Sequence, residues 1–173
     1  MQTFDELVEE LSLIENKKEK GDWWEELCIW YFKNSPIQKN IVEDIWPWDE
    51  WPDKPDGIDL GTDLILKKKN GEICGIQCKG YNKNASLSLN DISKWLADTS
   101  NTDIYQDRLL MSTTVSISAN VKTQISRQKN IARYMLFYDF KNENLLWPKY
   151  GHPVKKLKKI KPPPKRNYQI KAV

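Results

Sequence analysis

Apolar and polar residues alternate along two short runs that flank Asn70-Gly71. The first run covers residues 63–68 and the second covers residues 72–79. Side chains alternate across a β-strand, and Asn-Gly is a strong signal for a tight turn between two strands. The pattern therefore predicts a β-hairpin with Gln77 and Lys79 on one face of its second strand.

The length of the turn decides which residue of the second strand lies opposite Asp63. A two-residue turn would pair Asp63 with Cys78 and would place the carboxylate on the face opposite Gln77. A three-residue loop at residues 69–71, with its glycine left-handed in a G1 bulge, would pair Asp63 with Gln77. The first register buries a carboxylate without a partner, so we predict the second.

The first part of the chain predicts two helices. Residues 3–17 have the spacing of an amphipathic helix, with Thr3 as a candidate cap. The charged residues 17–20 predict a solvated segment between elements. Asp22 is the candidate N-cap of a second helix over residues 23–32, where apolar residues recur at helical spacing.

The second half of the chain alternates helix and strand signals. These are a helix at 89–96 capped by Asn90 or Asp91, a buried strand at 108–114 that ends in hydroxyl residues, a polar helix at 119–131 and a buried strand at 134–138. The order of helix, hairpin, helix, strand, helix and strand predicts an α/β fold. We expect one further, weakly marked strand near residues 55–61.

Composition narrows the class of protein. The 173 residues are 39% hydrophobic and include 8 Trp, which favours one domain with a real core. No apolar run approaches the roughly 20 residues of a membrane span, and the N-terminus lacks a signal-peptide pattern, so we expect a cytoplasmic protein. Three cysteines without a paired spacing argue against disulfides and structural zinc, and a single histidine, His152, argues against His-dependent hydrolysis.

The net charge of +3 hides an asymmetry along the chain. Residues 151–173 carry eight Lys and Arg and no acid, whereas residues 1–150 carry a net charge of −5. Phosphate neutralisation supplies most non-specific DNA affinity, so this acidic body is not expected to coat DNA by itself. We predict a domain over 1–150, followed by a basic, Pro-stiffened linker at 151–165.

Residues 35–57 lack a clear strand or helix pattern and are predicted to be irregular. Three Trp and three Pro fall within residues 46–55, concentrated in the Trp-Pro segment at 46–52. Exposed indoles in this segment could stack on bases, whereas buried indoles would attach the loop to the core. We favour the packing role.

The hairpin also resembles a known catalytic signature. Asp63, followed on the next strand by Gln77-Cys78-Lys79, is similar to the PD-(D/E)xK motif of nucleases, in the Mrr-like variant where Gln replaces the second acidic residue. Together with Gly57-Ile58-Asp59-Leu60 and Leu110-Met111-Ser112-Thr113-Thr114, it resembles the nuclease domain of single-chain Type ISP restriction-modification enzymes. The resemblance implies a mixed central β-sheet flanked by helices, in the order α-β-β-β-α-β.

Two positions of this resemblance stay open. Asp59 lies four residues before Asp63 and is its rival for a metal, although the fourteen-residue spacing to the Gln-x-Lys strand favours Asp63. The segment at 21–27 is similar to the Gly-x-x-aromatic-Glu that opens Mrr-like domains, with Glu25 as the match and Glu26 as the fallback. Both glutamates could also be ordinary first-turn residues that the helix dipole favours.

The resemblance implies a metal-dependent hydrolase. Mg²⁺, with Mn²⁺ as an alternative, would be held by Asp63, by the side-chain oxygen of Gln77 and by the backbone carbonyl of Cys78, with Glu25 binding through water or at a second site. Lys79 would orient the attacking water and stabilise the phosphate. Because Gln carries no charge, we expect weak metal affinity and little cleavage by the isolated domain.

The end of the sequence predicts further domains. Residues 166–173 resemble the Gln motif that opens superfamily-2 helicase motors, so we expect an ATP-dependent translocase to follow, with ATP needed only there. The resemblance further implies double-stranded DNA as substrate, and methyltransferase and target-recognition domains in the same bacterial polypeptide. Candidate phosphate contacts at the hairpin tip are Lys67, Lys68 and Lys69.

Two alternative functions stay open. One is an enzyme of the same fold with another task, such as a resolvase-like or repair nuclease. The other is a non-catalytic DNA-binding or docking module, in which the hairpin only packs and the basic tail binds nucleic acid.

Overall fold

The computed structural model describes residues 1–57 and 61–151. The expectations for Asp59, for His152, for the linker beyond residue 151 and for the motor start at 166–173 lie outside the described residues.

Two helices open the chain. Helix α1 (Phe4–Ser12) begins at Thr3, as predicted, and Thr3 and Glu6 form a capping box. Helix α2 (Lys17–Asn34) begins earlier than predicted, because Asn16 and not Asp22 is its N-cap. The side-chain oxygen of Asn16 accepts from two backbone amides of the first turn, so the charged residues 17–20 are helical. No helix in the described part of the chain is long and apolar enough to cross a membrane.

In the described part of the chain, seven strands and three further α-helices follow. In chain order they are β1 (Val42–Pro47), β2 (Leu64–Lys68), β3 (Ile73–Lys79), β4 (Ser86–Leu87), α3 (Leu89–Asp98), β5 (Asp107–Ser112), β6 (Ser116–Ile117), α4 (Ala119–Ser126), β7 (Arg133–Met135) and α5 (Phe137–Lys141). The main sheet has the order β1-β2-β3-β5-β7, antiparallel from β1 to β3 and parallel from β3 to β7. Strands β4 and β6 form a separate parallel pair. The predicted α/β fold, a mixed sheet flanked by helices, is confirmed.

The hairpin adopts the predicted register. Leu64 lies opposite Ile76, and the Lys68 amide donates to the Glu72 carbonyl at 2.9 Å. Gly71 has φ of +90°, a conformation that favours glycine, so the three-residue loop closes as expected.

Three predicted elements were wrong. The first strand of the sheet is β1 at Val42–Pro47, not a segment near 55–61, and acidic residues and a bulge between Val42 and Asp44 obscure its alternation. The strand predicted at 134–138 is instead β7 at Arg133–Met135. It ends there because the Asp139 carboxylate accepts from the Leu136 amide, and α5 begins at the next residue, Phe137. Ser88, not Asn90 or Asp91, caps α3, with Asp91 as the third helical residue of its capping box.

One face of the sheet, which we call the aromatic face, is covered by α1, α2 and α5. Apolar side chains of β2, β3 and β5 point into it, including those of Leu66, Ile76 and Met111. Edge-on and stacked aromatic rings fill the space above them, with Phe4, Trp24, Tyr31, Phe140 and Trp147 at the centre.

The opposite face, which we call the site face, is covered by α3 and α4 and by the Trp-Pro segment. Leu110 of β5 packs there against Trp95 and Val121. Trp48 and Trp51 are buried against Ile65. The prediction that indoles attach the Trp-Pro segment to the core is therefore confirmed for these two rings.

Candidate active site

The start of β2 lies beside the end of the neighbouring strand β3. Asp63, Gln77 and Cys78, which were predicted as site residues, converge there. The backbone amide of Asp63 donates to the Ile76 carbonyl at 2.9 Å, which fixes Asp63 beside the end of β3. The side-chain amide of Gln77 donates to Oδ2 of Asp63. The structure therefore brings Asp63 and Gln77 into direct contact on the site face, as the three-residue turn required.

The backbone of Cys78 also faces this point. Its amide donates to Oδ2 of Asp63 at 2.6 Å. In a sheet, the N–H and C=O of one residue point to the same neighbouring strand, so the Cys78 carbonyl faces the side on which Asp63 lies. A carboxylate, a side-chain amide and a backbone carbonyl thus meet at the start of β2.

Lys79 is the last residue of β3 and shares the site face with Gln77 by strand alternation. Its side chain is half-buried. The hydroxyl of Ser112 donates to the Lys79 carbonyl at 3.0 Å, and the Thr113 amide donates to the same oxygen at 3.3 Å. Ser112 and Thr113, at the end of β5, therefore fix the backbone of Lys79. The hydroxyl residues of this strand did not predict that role.

Glu25 lies in α2, on the aromatic face. It acts electrostatically on two buried thiols, Cys28 below it and Cys78 at the end of β3. Burial raises the pKa of both thiols, and the negative charges of Glu25 and Asp63 add to the effect. Glu25 is thus near the end of β3, in a helix that packs on the aromatic face; its catalytic role stays a prediction.

A close contact between helix and strand sets the distance of α2 from the site. A Cβ atom on Gly80 would lie 3.0 Å from Cβ of Trp24 and 3.1 Å from its Cγ. The Trp24 indole also donates to the Met111 carbonyl at 3.4 Å. Only glycine lets α2 approach β3 this closely, immediately after Lys79.

Tyr81 and Asp91 form a second polar pair beside the lysine, and sequence reasoning missed it. The Tyr81 hydroxyl donates to Oδ1 of Asp91 at 2.6 Å, and burial together with this bond raises the pKa of Tyr81 to about 12. Burial opposes ionisation of Asp91, but hydrogen bonds from Tyr81 and Ser88 and the charge of Lys79 lower its pKa. No sequence motif marked the pair, because Tyr81 lies beyond the strand and Asp91 is an ordinary capping residue.

The three hairpin lysines lie at the far end of β2 from Asp63. Lys67 pairs with Glu43 at 3.3 Å, while Lys68 pairs with Asp107 at 2.9 Å. Lys69 is exposed in the turn. Their role as phosphate contacts stays a prediction.

The donor set at the site consists of oxygens. Among residues 1–57 and 61–151, no group of three or more His, Cys, Asp and Glu side chains is placed to hold a metal. The Asp63 carboxylate, the Gln77 amide and the Cys78 carbonyl would suit a hard cation such as Mg²⁺ or Mn²⁺, which takes oxygen ligands and keeps several waters. One carboxylate among these three donors implies weak affinity.

A mixed sheet with Asp and Gln-x-Lys at the edge of its hairpin places the protein among folds of the PD-(D/E)xK type. Comparison with protein families agrees: the Mrr-type catalytic family described as restriction endonuclease matches residues 33–156. The chain belongs to this restriction endonuclease family. Glu25 lies outside the matched range, whereas Asp63, Gln77 and Lys79 lie within it.

A solved structure shows the same likeness. The ATP-dependent Type ISP restriction-modification enzyme LlaBIII bound to DNA is 26% identical, with a TM-score of 0.64 over 82% of this chain. The present chain spans only 8% of the length of that enzyme chain. No match was found among curated proteins. The resemblance to Mrr-like and Type ISP nucleases is therefore confirmed.

Proposed function

We propose that this chain is a metal-dependent endodeoxyribonuclease that hydrolyses phosphodiester bonds of duplex DNA. The contact between Asp63 and Gln77, with Lys79 on the same face, is the observation that carries the proposal. A non-catalytic module of this fold would have no need to place these three residues together. A hydrogen-bonded Asp–Gln pair at a sheet edge does little for packing.

Each residue has a distinct role in the proposed reaction. Asp63, the Gln77 side-chain oxygen and the Cys78 carbonyl would hold a divalent cation, Mg²⁺ or Mn²⁺. Their place in the site would let such an ion supply acidification of a coordinated water and charge neutralisation at the phosphate. Lys79 donates to a phosphate oxygen, and its fixed backbone keeps that donor oriented before the substrate arrives.

Two amides keep the carboxylate oriented. The Cys78 backbone amide and the Gln77 side-chain amide both donate to Oδ2 of Asp63. These bonds fix the rotation of the carboxylate, so the site needs little reorganisation. Glu25, which lies in α2 near the end of β3, would support the site through water or at a second ion.

The proposed setting is a larger restriction enzyme. Residues 1–150 form the nuclease domain, residues 151–165 form the linker, and residues 166–173 begin a helicase-like motor whose ATP-driven translocation brings DNA to the domain. Methyltransferase and target-recognition domains would follow in the same polypeptide. The likeness to LlaBIII supports this setting.

The charge of residue 77 provides a test that does not depend on turnover. Gln77→Glu places a second carboxylate beside Asp63, so like charges destabilise the metal-free protein and a cation stabilises it. We expect the Tm to fall in EDTA and to rise above that of the wild type in saturating Mn²⁺. A Tm of the variant that does not respond to Mn²⁺ contradicts a metal site at this position.

Cleavage tests the reaction itself. We expect nicking of supercoiled plasmid to need Mg²⁺ or Mn²⁺ and to be lost in Asp63→Asn. The matched control is Asp103→Asn, which changes an exposed aspartate in the loop before β5, at the end of β3 opposite to Lys79. Equal nicking by Asp63→Asn and the control contradicts the proposal.

A further inference from the structure

One segment of the acidic domain contains no acid. Between Asp107 and Asp139 the chain has no Asp or Glu, and its basic residues are Arg108, Lys122, Arg127, Lys129 and Arg133. Arg108 is buried and Arg133 pairs with Asp107, so the remaining exposed charge of the segment comes from α4 and the loop after it. A net-negative body therefore has one sector of the opposite sign.

Helix α4 presents this charge on one side. Val121 and Ile125 are buried against the site face. The outward residues, at helical spacing, are Asn120, Lys122, Thr123, Ser126 and Arg127. In the part of the chain that the structure describes, neither Lys122 nor Arg127 forms an ion pair.

Helix α1 shows the opposite composition on the other face of the sheet. Its nine residues include four acids and no base. A surface evolved only for solubility normally mixes both signs on each helix. The segregation of charge between α1 and α4 is therefore an argument that the two sides meet different partners.

A ladder of hydrogen bonds connects α4 to the candidate active site. It begins with the Ser112 hydroxyl, which donates to the Lys79 carbonyl, and continues with the Thr113 hydroxyl, which donates to the Tyr81 carbonyl. Further along, the Val115 amide donates to the Lys83 carbonyl at 3.0 Å.

The ladder ends at the cap of α4. Strands β4 and β6 pair through Ser86 and Ser116, and the Ser118 amide donates to the Leu87 carbonyl at 3.3 Å. Ser118 is the N-cap of α4. The helix therefore starts at the same edge of the sheet as Lys79.

We propose that the outward side of α4, with Lys122 and Arg127 as its cations, binds the phosphate backbone of the duplex that the site cleaves. This inference rests on the proposed nuclease function. The eight residues of α4 are about 12 Å long, roughly the axial length of three to four base pairs. The two cations lie among the short polar side chains of Asn120, Thr123 and Ser126. Such a surface can contact phosphates without reading bases.

The test compares two pairs of neutralised cations in the full chain. Lys122→Gln/Arg127→Gln changes α4, and the control Lys17→Gln/Lys33→Gln removes the same charge from exposed positions of α2. Binding to a fluorescent DNA duplex is measured by anisotropy in EDTA, from about 50 mM to about 200 mM salt. We expect the α4 pair to flatten the slope of log affinity against log salt by about 2, and the control to leave it nearly unchanged.

A gain-of-charge variant keeps the test decisive if the double variant is unstable. Thr123→Lys adds a cation between Lys122 and Arg127 at an exposed helical position. We expect it to steepen the salt slope by about 1. Equal slopes for the α4 pair, the control and the wild type overturn the inference, as does a wild type that binds no duplex at low salt.

Cleavage separates this inference from the function on which it rests. If Asp63→Asn abolishes nicking while the α4 pair binds and cuts like the wild type, only the α4 surface is wrong. If Asp63→Asn still cuts while the α4 pair has lost its salt-dependent affinity, the surface stands and the nuclease centre is wrong.

Discussion

The two faces of the sheet use the same strands for different purposes. On the aromatic face, Ile76 and Cys78 are buried under α1, α2 and α5. On the site face, Gln77 and Lys79 of the same strand meet Asp63 or approach solvent. Because side chains alternate along a strand, β3 supplies packing residues on one side and the proposed catalytic residues on the other, and a change on one face can leave the other nearly intact.

Asp107 and Arg108 are neighbours on β5, and their buried charges lie on opposite faces of the sheet. Asp107 is held by two cations, Lys68 at 2.9 Å and Arg133 at 2.5 Å. Arg108, on the site face, forms no ion pair with a carboxylate among residues 1–57 and 61–151; it donates to the Leu96 carbonyl at 3.1 Å and to the Gln128 side chain at 2.8 Å. These acceptors lie at the carboxyl ends of α3 and α4, where helix dipoles favour a cation.

The largest effect should come from the aromatic face. Trp24 is fully buried and touches the ring of Phe140 and the backbone at Gly80. We expect Trp24→Ala to lower the free energy of unfolding by about 3–5 kcal/mol, measured by urea denaturation. A loss below about 1 kcal/mol would show that this face does not carry the stability of the domain.

Asp107 gives the next largest effect and a defined pH dependence. Burial opposes its ionisation, but hydrogen bonds from Arg133 and Lys68 lower its pKa. Because the pKa is lower in the folded state, the stabilisation is complete above the ordinary value of about 4 and is lost as pH falls through the folded pKa. We expect Asp107→Asn to cost about 2 kcal/mol near neutral pH, since Arg133 is half exposed.

Urea denaturation across pH checks this prediction. The difference between the wild type and Asp107→Asn should shrink as pH falls from about 4 toward about 2. A difference that grows in acid would mean that the Asp107 carboxyl is protonated in the folded protein, contrary to its ion pairs.

Gly80 couples the two faces. Its position against Trp24 leaves no room for a Cβ unless α2 moves. We expect Gly80→Ala to cost about 1–2 kcal/mol and also to reduce plasmid nicking, because the displaced backbone adjoins Lys79. The control is Gly21→Ala, where a Cβ meets nothing within 4 Å and the helix should gain slightly in stability. Unchanged nicking by a folded Gly80→Ala would show that the site tolerates movement of α2.

The smallest effect on folding is expected at α4. Lys122 and Arg127 are exposed, so Lys122→Gln/Arg127→Gln should change the free energy of unfolding by less than about 0.5 kcal/mol, by urea denaturation. A larger loss would assign these cations to the fold and would weaken the DNA-contact proposal.

Local chemistry explains what the sequence could predict. The hairpin register followed from the turn at residues 69–71 and from the cost of burying the Asp63 carboxylate without a partner. Both depend on residues that are close together in the sequence. The cap at Thr3 and the burial of the strand at Asp107–Ser112 were equally local.

The features that sequence reasoning missed depend on tertiary contacts. Strand β1 exists because it pairs with β2, although Glu43 and Asp44 interrupt its apolar pattern. The pair of Tyr81 and Asp91 joins a loop to a helix cap. Similarly, the spacing of α2 from β3 depends on the contact of Gly80 with Trp24, which joins residues far apart in the chain.

The central claim is that β3 separates catalysis from packing by alternate residues. The most direct test is plasmid nicking with Mg²⁺ by Lys79→Ala and Cys78→Ala, each corrected for its folded fraction. We predict that Lys79→Ala loses at least about 100-fold in nicking rate while keeping its stability, because it removes a donor to the transition state. We expect Cys78→Ala to lose stability and to keep cutting. Nicking by Lys79→Ala at the wild-type rate would contradict a nuclease centre on this hairpin.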